Sequence, residues 1–252
     1  MKFSNKQNRA LNFYEDGTPL SGADATKLIQ EQSDTIMLAF SCGKDSVAAW
    51  LAIRDIFPHI IPYYMYLVPD LEFVEESLEY YENYFDTRIM RVPNPNLYRM
   101  LNKLTFQPPE RCAVIEAARI WEFSPEDLRE AMVDQLDIYP ETFTAVGVRA
   151  ADSPQRRMAC NSWGPINWDT KSFWPVHDMY KDELIELVKA HDIRLASDYD
   201  LFGRSFDGID FRFTLPLKEK RPRDYAKILE WFPLAELDIM RYSLKGGTYE
   251  EE

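Results

Sequence analysis

Cysteine is scarce in this chain of 252 residues, which holds only Cys42, Cys112 and Cys160. Three scattered thiols make no disulfide framework, and they cannot supply the four thiolates that an iron–sulfur cluster needs. There is no Cys-x-x-Cys pair, and His59, His177 and His191 share no ligand spacing. Each histidine therefore reads as a surface or partly buried imidazole rather than a metal ligand. Long apolar runs are lacking too, so no segment is long enough to span a membrane, and the start Met1-Lys2-Phe3-Ser4-Asn5-Lys6 has no secretory core. The expected location is the cytoplasm. Positive charge is in deficit: the formal net charge of −13 argues against a whole-surface grip on nucleic acid. Neither repeats nor low-complexity tracts appear.

What the chain does have is one unusual stretch. Residues 36–40 form an apolar run of strand length, and residues 47–56 carry apolar side chains at helical spacing. Between them lies Ser41-Cys42-Gly43-Lys44-Asp45-Ser46. Backbone N–H groups at a helix N-terminus, two hydroxyls and an ammonium make a seat for phosphate. Gly43 lets a ligand approach the backbone with no Cβ in the way. The plain alternative is an ordinary strand–turn–helix junction with Asp45 or Ser46 as a cap. The spacing is not that of the longer Gly-x4-Gly-Lys-Ser/Thr loop.

Around this stretch the chain alternates. A helix is expected over 23–32, strands over 60–68 and 87–92, and a helix over 72–85. That rhythm points to an α/β fold with a doubly wound, mostly parallel sheet. Residues 96–137 interrupt it with helical segments at 98–104, 111–121 and 125–136, the last opened by Ser124-Pro125. A strand over 142–148 then enters Gly147-Val148-Arg149-Ala150-Ala151-Asp152-Ser153-Pro154-Gln155-Arg156-Arg157. In a parallel sheet the strand ends share one edge, so this run should face Ser41–Ser46. Arginine forks suit phosphate or sulfate oxygens.

A short strand at 172–176 and a helix at 179–190, capped by Asp178, follow. Trp163, Trp168 and Trp174 lie in or near this region and read mainly as core, with stacking on adenine or a partner as the alternative. Farther on, 201–210 reads as a loop, 211–215 alternates like a strand, and 224–231 is a helix. Lys218, Lys220, Arg221 and Arg223 form a basic knot, read as a solvated turn or as a rest for an anionic substrate tail or nucleic acid. The acidic end, Tyr249-Glu250-Glu251-Glu252, reads as frayed. Three segments are expected: an N-terminal arm and helix (1–34), a nucleotide-binding α/β domain (35–195, with the helical insertion 96–137), and a C-terminal extension (196–252).

The string Phe40-Ser41-Cys42-Gly43-Lys44-Asp45-Ser46 resembles the phosphate loop of the N-type ATP pyrophosphatase (PP-loop) superfamily, near its adenylyl-sulfate (PAPS) reductase and sulfate adenylyltransferase small-subunit branch. The second run resembles that group's Gly-Ile-Arg-x-x-Glu-Ser-x-x-Arg motif, and 173–183 its Pro-Ile-x-Asp-Trp step. The fold so implied is that of the adenine nucleotide alpha hydrolases. The resemblance implies that Ser41, Cys42, Gly43, Lys44, Asp45 and Ser46 hold the nucleotide phosphates, with Gly147, Arg149, Asp152, Ser153 and Arg156 lining the facing side. It implies ATP and Mg²⁺ as cofactors, with Asp45 and Asp152 at the metal and Lys44, Asp45, Arg149 and Arg156 in catalysis. The expected reaction cleaves ATP between the α- and β-phosphates and adenylates an unidentified acceptor, in sulfur metabolism by the branch it resembles.

Two departures bear on this. The reductases carry a C-terminal Glu-Cys-Gly-x-His string, and here the last cysteine is Cys160. The group's Asp-Thr-Gly step is replaced by Val68-Pro69-Asp70-Leu71, which leaves Asp70 a shifted candidate. A thiol-dependent reductase working with thioredoxin, using Cys42, is the first alternative; a nucleotide-binding subunit acting with a protein partner is the second. Nucleic acid is the less favoured partner, and no membrane is expected.

Overall fold

A computed structural model of the chain describes residues 8–244. The expectations for Met1–Lys6 and for the acidic end lie outside that range. In chain order the helices and strands are α1 (Gly22–Gln30), β1 (Thr35–Ala39), α2 (Lys44–Ile53), β2 (His59–Tyr66), α3 (Glu72–Phe85) and β3 (Met90–Pro93). Then come α4 (Pro95–Asn102), α5 (Pro109–Ala118), α6 (Pro125–Leu136), β4 (Thr144–Val146), α7 (Pro154–Trp163), β5 (Ile166–Asn167) and β6 (Ser172–Phe173). The remainder is helical: α8 (Lys181–Ala190), α9 (Ser197–Phe202), α10 (Phe211–Lys220), α11 (Pro222–Trp231) and α12 (Glu236–Leu244).

The fold is α/β, with six strands in the order β3-β2-β1-β4-β6-β5. β1 runs parallel to β2 and β4, β4 runs parallel to β6, and β5 closes the edge antiparallel to β6. The strand order reverses at β1: the chain first builds outward through β2 and β3, then returns to place β4 on the other side. Ligand crevices in open parallel sheets form at the strand C-termini where the order reverses. Ala39 lies beside Val146 there, so Ser41–Ser46 and the run from Gly147 leave the sheet side by side.

Contacts divide the chain into two compact units. The first comprises residues 1–65, 86–91 and 126–195. Its core follows from sequence: Ile36, Met37 and Leu38 of β1 are fully buried, and so are Val47, Ala48 and Ala49 of α2. A strand covered on both faces reads as a continuous apolar run, as this one does. Phe40 meets Trp50 edge-on at 5.0 Å, fixing the angle between the end of β1 and the helix that follows. His177 is buried, contrary to the expectation of a surface or partly buried ring. Asp178 does not cap α8: its carboxylate accepts the Gly22 N–H at the start of α1, while Glu183 accepts the Tyr180 N–H at the start of α8.

The second unit comprises residues 66–85, 92–125 and 196–252. Here 211–215 is helix, not strand. Five alternating residues fit either period, but Asp210 caps the segment by accepting the Arg212 N–H, and Phe213 and Leu217, four residues apart, share the buried face. Phe73 of α3 meets Phe202 and Phe206 edge-on at 5.7 and 5.3 Å, and Phe213 meets the same two rings at 5.2 and 5.4 Å. Asp224 of α11 accepts the Glu72 and Phe73 N–H groups, a cap supplied to α3 from about 150 residues away. The basic knot is largely paired: Lys218 with Glu236, Arg221 with both oxygens of Glu76, and Arg223 with Glu72. Among the described residues no helix is long and apolar enough to cross a membrane.

Replacing Asp224 by Ala leaves the first N–H groups of α3 without their acceptor. A loss of about 1–2 kcal/mol in urea unfolding is expected, the range for a helix cap. An unchanged midpoint would show that these N–H groups find water instead.

Candidate active site: a charged row where the strand order reverses

Ser41–Ser46 is shaped by its own side chains. Cys42 sits at φ 59°, in the left-handed region, and is 1% exposed, so it fills the turn instead of facing solvent. The Ser46 hydroxyl donates to Gly43 O at 2.8 Å and accepts from the Ser41 N–H and hydroxyl, each at 3.2 Å. Ser46 thus closes the loop. Gly43 is the residue before α2, so the loop runs directly into the N-terminus of that helix. The positive end of that helix's dipole therefore lies at the loop.

Gly147 is where the two motifs touch. A Cβ built there would stand 2.6 Å from Asp45 O and 2.7 Å from Ser46 N. Only glycine permits that approach, so Gly147 serves to hold β4 against the loop. Beyond it, the Ala150 N–H donates to His177 O at 2.8 Å, which ties the second run to the β6–α8 turn. Ser153 is the cap of α7, accepting the Arg156 N–H at 3.2 Å. No helix is expected here from the sequence, although Ser153-Pro154 repeats the Ser124-Pro125 start of α6.

The side chains between the two motifs form one row of alternating charge. Lys44 Nζ lies 2.9 Å from Asp45 Oδ2. Asp45 Oδ1 lies 2.8 Å from Arg149 Nε, yet the N–H is not aimed along that line, and both atoms are buried without a hydrogen-bond partner. Arg149 donates to Asp152 at 2.5 Å, and Asp152 accepts from Arg156 at 2.9 Å. Arg149 is 5% exposed, held between two carboxylates. Three cations against two carboxylates leave the row one positive charge in excess, flanked by two helix N-termini. That balance suits an anion.

The fit to Mg²⁺ rests on Asp45 and Asp152. Among the described residues no group of three or more His, Cys, Asp or Glu could hold a metal. Mg²⁺ usually takes one or two carboxylates and completes its shell with water and phosphate oxygens, so a closed cage is not required. Asp45 Oδ1 is the one oxygen of these two carboxylates that accepts no hydrogen bond, and an ion there would have to displace the Arg149 Nε that lies 2.8 Å away. The residues fit.

One neighbouring pair could not be found by spacing. Cys160 Sγ lies 3.3 Å from His177 Nδ1, and His177 Nε2 lies 2.9 Å from Leu20 O. Burial, with the Asp178 charge nearby, pushes the Cys160 thiol up to about 11. With Nε2–H donated to Leu20, Nδ1 is left to accept from a protonated thiol, so the pair braces α7 and is no nucleophile.

No family model matches the chain, and no curated protein does. Solved structures that resemble it include an NH3-dependent NAD synthetase from Campylobacter jejuni, in complex with nitrate, at 16% identity and a TM-score of 0.43, over 92% of this chain and 97% of that one. Another is the U34-tRNA thiolase NcsA from Methanococcus maripaludis, with its [4Fe-4S] cluster, at 14% identity and a TM-score of 0.44, over 92% and 90%. At that similarity neither likeness carries an argument about chemistry. The chemistry of the site rests on this chain's own residues.

Two outcomes are expected. Gly147→Ala should cost about 1–3 kcal/mol in urea unfolding, as overpacking does, because the Asp45–Ser46 backbone must shift; wild-type stability would show the contact to be slack. A thiol whose folded pKa is raised contributes stability that is full below its free value, near 9, and is lost as pH rises toward 11. The urea midpoint of the wild type should therefore fall more steeply between about pH 9 and 11 than that of Cys160→Ser.

Proposed function

We propose that the chain is an ATP-using enzyme that cleaves between the α- and β-phosphates and transfers the adenylyl group to an acceptor. The observation that carries this reading is the charged row from Lys44 to Arg156, set in the crevice where the strand order reverses. It sets three positive side chains and two helix N-termini beside one another, a combination that suits several phosphate oxygens at once.

In this reading the Lys44 and Asp45 N–H groups and the Lys44 ammonium hold the β- and γ-phosphates. Arg156 and Arg149 face the α-phosphate or the acceptor's anionic group. An acceptor oxygen attacks the α-phosphorus, the bond to the α–β bridging oxygen breaks, and its electron pair leaves with pyrophosphate. Lys44 and the N–H groups meet the charge that grows on the departing oxygen, which is where preorganised donors lower a barrier most. Arg149, packed between Asp45 and Asp152, keeps both carboxylates in place without water-borne reorganisation. Asp45 and Asp152 would hold Mg²⁺, whose chemistry when bound is to neutralise charge on phosphate oxygens.

Thiol-dependent reduction, the alternative raised by the resemblance, finds no ready nucleophile in the first unit: Cys42 is buried in its turn and Cys160 is kept protonated. Cys112, in the second unit, donates to Pro108 O of its own helix start. The sulfur-metabolism branch accordingly enters only as one acceptor class, sulfate, to be tested with others.

The test is pyrophosphate release from ATP with Mg²⁺ and a panel of acceptors including sulfate. Lys44→Ala should lower turnover about 100-fold, the usual loss for one oxyanion-type donor. Undiminished release in that variant, or no release with any acceptor together with no binding of ATP, would sink the assignment.

A further inference from the structure

We propose that the pocket at the C-terminal end of α7 is a binding site for a small molecule carrying a flat aromatic ring. It has a volume of about 340 Å³ and is lined by Trp163, Trp174, Pro165, Ile166 and Ala159, with Asn167 and Asp169 as its polar side chains. That size lies near the lower end of small-ligand sites, and the composition, mostly apolar and aromatic with a few polar groups, is typical of them. The ten residues of α7 span roughly 15 Å, so the pocket is a separate place from the Ser153–Arg156 end of the same helix. It stands whether or not the nucleotide reading holds.

Its walls are built and held. Asn12, 1% exposed, clamps the backbone behind them: its amide donates to Trp163 O at 2.6 Å and Ile166 O at 2.8 Å, and its oxygen accepts from the Trp168 indole at 2.9 Å. The Trp174 N–H donates to Pro165 O at 3.0 Å. Gly164 turns the chain at φ 77°, and a Cβ there would come within 2.5 Å of Asn12 Cβ. The Arg9 guanidinium lies 5.6 Å from the Trp163 ring, a cation–π contact that steadies the indole. Yet Trp163 remains 50% exposed. An indole fixed in place, half in solvent at the rim of a concave apolar pocket, offers stacking surface that the fold itself does not use. The lining is mostly apolar and aromatic, so an uncharged flat ring is the matching class.

Indole is a suitable probe, titrated by saturation-transfer NMR with equilibrium dialysis for the dissociation constant. Saturable binding to the wild-type chain is expected. Trp174→Ala, which removes a wall, and Ala159→Leu, which fills the pocket, should each weaken it about tenfold or more, within what a stacked ring contributes. Circular dichroism confirms the fold of each variant, and Ala159→Leu decides the matter if Trp174→Ala does not fold. Cyclohexanol, apolar but not flat, should bind at least about tenfold less tightly than indole. No saturable indole binding, wild-type affinity in the folded variants, or equal affinity for cyclohexanol would each overturn the proposal.

Discussion

The charged groups at the sheet edge depend on one close approach, that of Gly147 to the Asp45–Ser46 peptide. Without a Cβ at 147, the end of β4 comes within van der Waals reach of the first turn of α2, and two motifs about a hundred residues apart become one surface. The parallel register then sets which side chains meet. Ala39 opposite Val146 puts Asp45 and Arg149 on adjoining exits, and Arg149 in turn reaches Asp152. A buried arginine between two carboxylates is costly to desolvate and is kept only if its partners are fixed. Here they are, by a helix start on one side and a short 3-10 turn, Ala150–Asp152, on the other.

The same arrangement explains why hydroxyls and glycines that look alike in sequence serve different ends. Ser41 is exposed at the mouth, whereas Ser46 is spent on closing the loop and Ser153 on capping α7. Gly147 leaves room for the protein's own backbone. Cys42 accepts a left-handed backbone that glycine would take at lower cost, and its sulfur is the plug of the turn. Residue type suggests a site, but hydrogen-bond bookkeeping decides which members of it remain open to a ligand.

Much of the first unit was legible because its signals are local or periodic. The apolar run before Ser41 and the Ser-Pro start of α6 are each readable within about a dozen residues, as is the helical spacing of α3 over 72–85 in the second unit. The edge location of the two motifs was legible too, since it follows from parallel strands alone. What escaped needed contacts between distant residues. The Asp224 cap on α3, the Cys160–His177 pair and the Asn12 clamp have no sequence spacing to betray them. Residues 211–215 misled for a different reason: five alternating residues satisfy a strand, and only the four-residue step from Phe213 to Leu217 marks a helix. By contrast, α7 carried a readable cap in Ser153-Pro154, hidden among arginines whose anion chemistry is the louder signal.

α7 ties these threads together. Its first turn, with Ser153 and Arg156, belongs to the charged row, and its last turn, with Trp163, belongs to the aromatic pocket. Between them, Cys160 is held by His177, whose own carbonyl anchors Ala150 next to Arg149. One imidazole-bearing residue thus fixes both the helix and the run that feeds it. A helix braced at its middle cannot tilt without moving both ends. Asp152 holds the Arg156 end and Asn12 the Trp163 end, and the Cys160–His177 contact anchors the stretch between those two local clamps.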